Sequence, residues 1–337
     1  MLVSLAAAGC TGGYNLVRRD TAGLGSSAWL SPALASDRAA LERWSSAVGP
    51  PVLARHARAA VSASDTLVVA SWNTALGHGD VDALFADLRR EYPASPIVLL
   101  LQEVYRGGPE VPAVLEPAAV VAKRLGGRGD RPAREVEAAA ARLELDLYYV
   151  PSMRNGPPPA SDEDRGNAIL STLPLQDLTA IELPFERQRR VAVAATIGFT
   201  SSNGMPWTLR VASAHLDNMV GPKRLWFAGG ELARTRQARA LKESLSDAAA
   251  AVLGGDFNTW FGFSDRAYGE LARAFPDTRV TDRRPTFLGV LRLDHLFFRV
   301  PDGWQVDFRR LGDRYGSDHS PLVAAIRLPI HPAPGPE

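Results

Sequence analysis

Near-continuous apolar runs that stop abruptly on polar residues constrain this chain more than any other feature. "LVVASWN" stops at Asn73 and "IVLLLQE" at Gln102 and Glu103. "LRVASAHLDN" stops at His215, Asp217 and Asn218, and "AVLGGDFN" at Asp256 and Asn258. Short runs rich in Val, Ile and Leu fit strands covered on both faces. "DVDALFADLRREYP" lies between the first two, and its Val81, Leu84, Phe85 and Leu88 recur at helical spacing. "LYYVPS", "GNAILSTLP", "RRVAVAATIGF", "RLDHLFFRV" and "LVAAIRL" predict further strands. "GGELARTRQARALKESLSDAA" and "SDRAYGELARAFP" predict helices. Many strands with interspersed helices make a layered α/β arrangement, expected over residues 62–330.

Composition sets bounds. The 38 Lys plus Arg nearly balance the 37 Asp plus Glu, which argues against a protein that coats nucleic acid through bulk charge but leaves room for a local basic groove. The one cysteine, Cys10, excludes an internal disulfide and a Cys-based zinc site. It follows the apolar "MLVSLAAAG", and Ala7-Ala8-Gly9-Cys10 resembles a bacterial lipobox, which implies lipidation and an extracytoplasmic, membrane-anchored protein. Ala7 in place of the usual Leu and the missing basic start depart from that pattern; the alternative is an ordinary N-terminus on a cytoplasmic protein. Residues 1–36 are therefore expected to form a signal or anchor with a Gly/Ser-rich linker. Residues 37–61 form a helical lead-in broken at Gly49-Pro50-Pro51, and 331–337 a Pro-rich tail.

The polar residues that end the runs form a constellation. Asn73, Glu103, His215, Asp256 and Asn258 fall at the C-terminal ends of predicted strands, as do Asp294 and His295 after "LRL". Asp318 and His319 sit in a Gly-Ser loop before the last strand. Layered α/β folds gather their sites where strand ends meet. Carboxylates crowded together repel one another unless a cation neutralises them, and oxygen donors without cysteine suit Mg²⁺, Mn²⁺ or Ca²⁺. Such a centre, with His and Asn as hydrogen-bond donors, suits phosphoester hydrolysis. Within "AVLGGDFN", Gly254 and Gly255 are expected to release the chain from its strand, while Phe257 turns into packing.

The ordered set "SWN", "LLQEV", "GNAILS", "SAHLDN", "GGDFN", "RLDHLFF" and "GSDHSP" closely resembles the endonuclease/exonuclease/phosphatase superfamily, across roughly residues 65 to 328. The resemblance implies a DNase I-like four-layer α/β sandwich of two packed mixed β-sheets flanked by helices. It implies Glu103 as principal metal ligand, with Asn73 and Asp318 on the metal side. Asp256 would activate water, and Asn258 and His319 would hydrogen-bond the phosphate. Asp294 would pair with His319, and His215 would bind phosphate or protonate the leaving group. Asn167 matches a position near the phosphate that is also structural, and His295 is expected only to pack. The presence of His215 points away from the abasic-site repair branch. An intact set separates a hydrolase from a non-catalytic binding module on the same fold.

Substrate class stays open among nucleic acid, phospholipid head groups as in sphingomyelinases, and small phosphoesters as in inositol phosphatases. A monomer is expected. Three stretches bear on the choice. "FERQRR" at 185–190 is locally basic, while Arg234, Arg236 and Arg239 have the spacing of a solvated helix face. "RNGPPPASDEDRG" is a candidate substrate-shaping loop, and "NMVGPKRLWFAGG" an aromatic and basic one that could stack a base or meet lipid.

Overall fold

The computed structural model describes residues 15–19, 27–57, 63–112, 121–122, 133–155, 162–218 and 226–329. Cys10, the 331–337 tail, residues 156–161 of one candidate loop and 219–225 of the other lie outside the described residues. In chain order the strands are β1 (Leu16–Arg19), β2 (Ala28–Pro32), β3 (Val52–Ala54), β4 (Thr66–Asn73), β5 (Ile97–Gly107), β6 (Val121–Ala122), β7 (Asp146–Asn155) and β8 (Glu163–Ser171). They continue with β9 (Leu175–Glu182), β10 (Val191–Thr200), β11 (Pro206–His215), β12 (Ala251–Asp256), β13 (Asp294–Arg299), β14 (Gln305–Arg310) and β15 (Leu322–Arg327). The helices are α1 (Ala35–Ser45), α2 (Val81–Glu91), α3 (Val136–Arg142), α4 (Trp226–Ser244) and α5 (Arg266–Ala274).

Two mixed sheets result. One runs β1-β2-β9-β10-β11-β12-β13; the other runs β14-β15-β4-β5-β8-β7-β3, with the two-residue β6 added beside β7. Strand alternation explains the layers. In β4, Leu67 and Val69 face the other sheet and meet Val98, Leu100, Val193, Val211 and Val252 in the central core. Val68 and Ala70 face outward, onto Leu84 and Leu88 of α2 and onto α3. Ala212 and Leu253 of the opposite sheet face outward onto Leu241 of α4 and Leu271 of α5. The result is the expected four-layer α/β sandwich, helices–sheet–sheet–helices. A truncation such as Leu100→Ala in the central layer would cost about 2–5 kcal/mol. Asp80 and Asp265 start α2 and α5 by accepting the N–H groups of Ala83 and Ala267.

Four expectations change. The 11–36 linker gives way at 16–19 and 28–32 to β1 and β2, with β2 pairing in parallel with β9. "AWLSP" is too short and too rich in neighbouring Gly and Ser to stand out in sequence, and the exposed edge of β9 is what recruits it. The helical lead-in holds only for α1, which stops at Ser45, and after a turn Pro50-Pro51 keep the chain extended into β3, which pairs with β7. Arg234 is fully buried against Asp265 at 2.7 Å rather than solvated. Gly254 and Gly255 do not release the chain, since β12 runs through them to Asp256. A Cβ on Gly254 would lie 2.7 Å from the Ser71 Cβ of the facing sheet, and one on Gly255 would lie 2.0 Å from the Ala214 carbonyl oxygen. The glycines permit close approach there, not a turn.

Candidate active site

Most of the signal residues meet at one end of the sandwich; Asn167 and His295 do not join them. The C-terminal ends of β4, β11 and β12 supply Asn73, His215 and Asp256, whereas Glu103 lies within β5, which runs past it to Gly107 instead of ending there. Asp294 opens β13, at its N-terminal end rather than a C-terminal one, but β13 runs antiparallel to β12 and so begins at the same place. Register makes the row explicit. His215 lies opposite Asp256 on one side and Asp294 lies opposite Asp256 on the other. In the second sheet Asn73 lies opposite Gln102. The pairing of β5 with β8 slips between Leu101 and Val104, and Glu103 takes a left-handed φ of 51°. A bulge of this kind re-aims a side chain, here a carboxylate at the rim of the site. Asn258 is also left-handed, with φ 49°.

Asp256 is the hub. Its Oδ2 accepts Asn73 Nδ2 at 2.9 Å, a hydrogen bond that spans the two sheets, and its Oδ1 accepts the Asn258 N–H at 2.9 Å. Oδ2 also lies 3.5 Å from His215 Nε2 and 3.8 Å from His319 Nε2. Glu103 Oε1 stands 4.0 Å from His215 Nδ1, and Asp318 Oδ1 stands 3.9 Å from His319 Nε2. His319 Nδ1 is 2.8 Å from Asp294 Oδ2, the expected pair. The Trp72 indole N–H donates to the His319 carbonyl, Ser317 Oγ–H donates to the Asn73 carbonyl, and Ser317 Oγ accepts the His319 N–H. The loop "GSDHSP" is thereby tied to the strand that carries Asn73.

The two site histidines are driven in opposite directions. Burial, then the positive charges of Arg190, Arg165 and His319, hold His215 well below the usual imidazole range, so it is neutral at pH 7. Burial also disfavours the charged form of His319, but Asp294, Asp256 and Asp318 outweigh it and lift the group to about 10. Burial, with Asp294 adding to it, drives the Asp256 carboxyl up to about 7, while His319, Asn258 and Asn73 act the other way. The site therefore offers a neutral imidazole, an imidazolium and a carboxyl that changes charge near neutrality.

Asp256, Asp294 and His319 each place a ligand-capable atom within 4.8 Å of the others, a grouping able to hold a metal ion. Asp294 Oδ1 is buried without a hydrogen-bond partner among the described residues, which suits such a role. His319, in contrast, is held protonated and has no lone pair to offer in that state. The oxygen donors of this end, Glu103 and Asp318 at the rim with Asp256 and Asp294 beneath, fit a hard divalent cation.

Other expectations resolve individually. Asn258 Nδ2 donates to the Leu216 carbonyl. The Asn167 amide donates to the Val191 carbonyl at 2.6 Å and so ties β8 to the facing sheet rather than joining the hub. His295 packs as expected, among Phe257, Phe263, Tyr268 and Phe297, with Thr259 Oγ1 2.8 Å from its Nε2. Burial, with Arg292 in second place, holds it neutral. Asp217 is taken up by Arg190 at 3.3 Å and by the N–H of Arg187. Two residues carried no sequence signal. Thr286 Oγ1 accepts the Leu293 and Asp294 N–H groups, and the Phe287 ring lies 4.7 Å from that of His319. "RPTF" has no periodicity and precedes the motif by several residues, so only the tertiary pairing reveals it.

A model of the Endonuclease/Exonuclease/phosphatase family matches residues 70–319, from within β4 to His319. The chain belongs to this family. The members of the endonuclease/exonuclease/phosphatase superfamily are phosphoester hydrolases. Among solved structures, an endonuclease/exonuclease/phosphatase protein from Beutenbergia cavernae DSM 12333 is 21% identical, with a TM-score of 0.55 over 80% of this chain and 73% of that one; the likeness is one of fold. Sphingomyelinase C from Streptomyces griseocarneus is 16% identical, with a TM-score of 0.44 over 77% of this chain and 99% of its own. A 3'-5' exonuclease from Neisseria meningitidis is 18% identical, with a TM-score of 0.45 over 77% and 98%. No curated protein matches the sequence. The β1 to β3 region lies outside the span that the family model matches.

Proposed function

We propose that this family member is a divalent-metal-dependent phosphoester hydrolase, a phosphodiesterase, that cleaves a P–O bond by attack of water. The observation that supports this most is the Asp256 hub, where one carboxylate oxygen lies within 4 Å of Asn73, His215 and His319 together. Glu103, with Asn73 and Asp318, would hold Mg²⁺ or Mn²⁺, which supplies charge neutralisation for the phosphoryl oxygens. Asp256, fixed by Asn73 and Asn258, orients the attacking water and takes its proton. His319, kept cationic by Asp294, donates a hydrogen bond to a non-bridging phosphate oxygen as negative charge develops there. The remaining Asn258 amide N–H can do the same. His215, neutral, hydrogen-bonds the phosphate beside the leaving group through its ring N–H, and the leaving oxygen takes its proton from solvent water.

The test is hydrolysis of bis(p-nitrophenyl) phosphate by purified protein with Mg²⁺ or Mn²⁺ added. Turnover should vanish in chelator, return when metal is restored, and fall by about 10²-fold or more in Glu103→Ala. Full activity in chelator would sink the metal assignment.

A further inference from the structure

Three large apolar side chains at the rim of the site are exposed. Leu288 and Val290 are 54% and 72% exposed, and Phe261, in the loop after Asn258, is 48% exposed. Leu288 and Gly289 both take left-handed φ, 47° and 76°, and the Val290 N–H closes a tight turn on the Phe287 carbonyl. Leucine at such a φ is strained, and nothing in the packing rewards its exposure. The turn is splinted to the catalytic loop: the Leu288 N–H donates to the Asp318 carbonyl, the Ser320 N–H to the Thr286 carbonyl, and Phe287 lies against the His319 ring. The 259–263 loop joins it through the Thr259 hydroxyl, which donates to the Arg292 carbonyl.

Around this apolar tip the charge is positive. Arg314 reaches to 3.6 Å from the Cβ position of Gly289, and the exposed Arg283 lies over the Phe263 ring at 5.3 Å; Arg292, 5.1 Å from the same ring, is buried and adds charge only from within. Arg284 and Arg310 flank them, and the nearby Asp282 is occupied by the Arg284 side chain and the Arg310 N–H. Aliphatic side chains cannot stack on bases, so a nucleic-acid strand would gain little from Leu288 and Val290. A bilayer interface would gain from both features, aliphatic carbon in the acyl boundary and guanidinium at the phosphate level.

We infer that the Phe287–Leu291 turn, with Phe261 beside it, is a docking element that seats the mouth of the site on an anionic phospholipid surface. The inference rests on the phosphodiesterase reading and narrows its substrate class to lipid phosphoesters presented in a membrane. Insertion of Leu288 and Val290 would place lipid head groups level with Asp318 and His319.

The experiment is sedimentation of the full chain with vesicles of equimolar phosphatidylcholine and phosphatidylglycerol, alongside the rate on soluble bis(p-nitrophenyl) phosphate. The wild type should sediment with lipid. Leu288→Asp with Val290→Asp should weaken that binding by about tenfold or more and leave the soluble rate unchanged, and Arg314→Glu should weaken it less. As a check that needs no disruptive change, Val290→Cys in a Cys10→Ser background, carrying an environment-sensitive fluorophore, should shift its emission to the blue on vesicle addition. Wild type that stays in solution, a double variant that binds as well as wild type, or a label that does not respond would each overturn the inference. Loss of binding to a short DNA duplex in the double variant, with no tip-dependent vesicle binding, would overturn it in favour of a nucleic-acid surface. Tip-dependent vesicle binding without any soluble turnover would break the hydrolase reading and leave the docking surface standing.

Discussion

Buried charge is organised in two ways in this molecule. Away from the site, each deeply buried acid has a guanidinium at contact distance. Arg234 meets Asp265, Arg189 meets Glu182 at 2.9 Å, and Arg106 meets Asp164, which also accepts the Tyr149 hydroxyl at 2.7 Å. At the site, Asp256 and Asp294 are equally buried but face asparagine and histidine, with no arginine in contact among the described residues. The first arrangement fixes charge in one state. The second leaves protons free to move, because histidine and carboxyl groups can exchange them near neutral pH while arginine cannot. Structural and chemical uses of the same residue types are thus told apart by the partner, not by burial.

Asp256→Asn is the strongest test of that contrast. It should reduce turnover by about 10³-fold, since general-base contributions run to that order, while the melting midpoint moves by only a few degrees. Collapse of the fold would mean that Asp256 is a structural acid after all. Arg234→Ala should do the reverse. Asp265 would be left buried without its cation, at a cost of about 3 kcal/mol in urea denaturation, with turnover per folded molecule unchanged. Replacing both by apolar residues of similar size should recover most of that loss.

The finest test is the pH profile. In the wild type the rate should rise through about 7 as Asp256 loses its proton and fall toward about 10 as His319 loses its own. Asp294 raises both groups, so Asp294→Asn should move both limbs to lower pH, the alkaline one by about one unit or more. An alkaline limb that stays in place would remove Asp294 from its role as the support for His319. The linkage to stability has a definite sign. His319 is raised above its ordinary value of 6.5, so its contribution to folding is whole below that pH and is lost as pH climbs through about 10.

Much of the site was legible in the chain because its residues end apolar runs, and runs of that kind report strands directly. Asn73, His215 and Asp256 needed no more than that. The Asp294–His319 pair was legible only through resemblance, since 25 residues separate its members. What stayed hidden depends on contacts between segments distant in sequence. Arg234 looks solvated by its spacing, because helical periodicity cannot reveal that Asp265 waits on another helix. Gly254 and Gly255 look like a turn, because the clash that forbids a side chain comes from Ser71 and Ala214. β1 and β2 depend on an edge offered by β9, and β14 on one offered by β15.

The bare backbone at Gly254 acts as a gauge. Ser71, two residues before Asn73, occupies the space that a side chain there would need, so the separation of the sheets is set directly beneath the bond from Asn73 to Asp256. The quantity this protein must keep within tolerance is therefore a thickness as much as a residue list. A single methyl group at Gly254 would act as a shim, spoiling alignment across the gap while the list of reacting residues stayed complete.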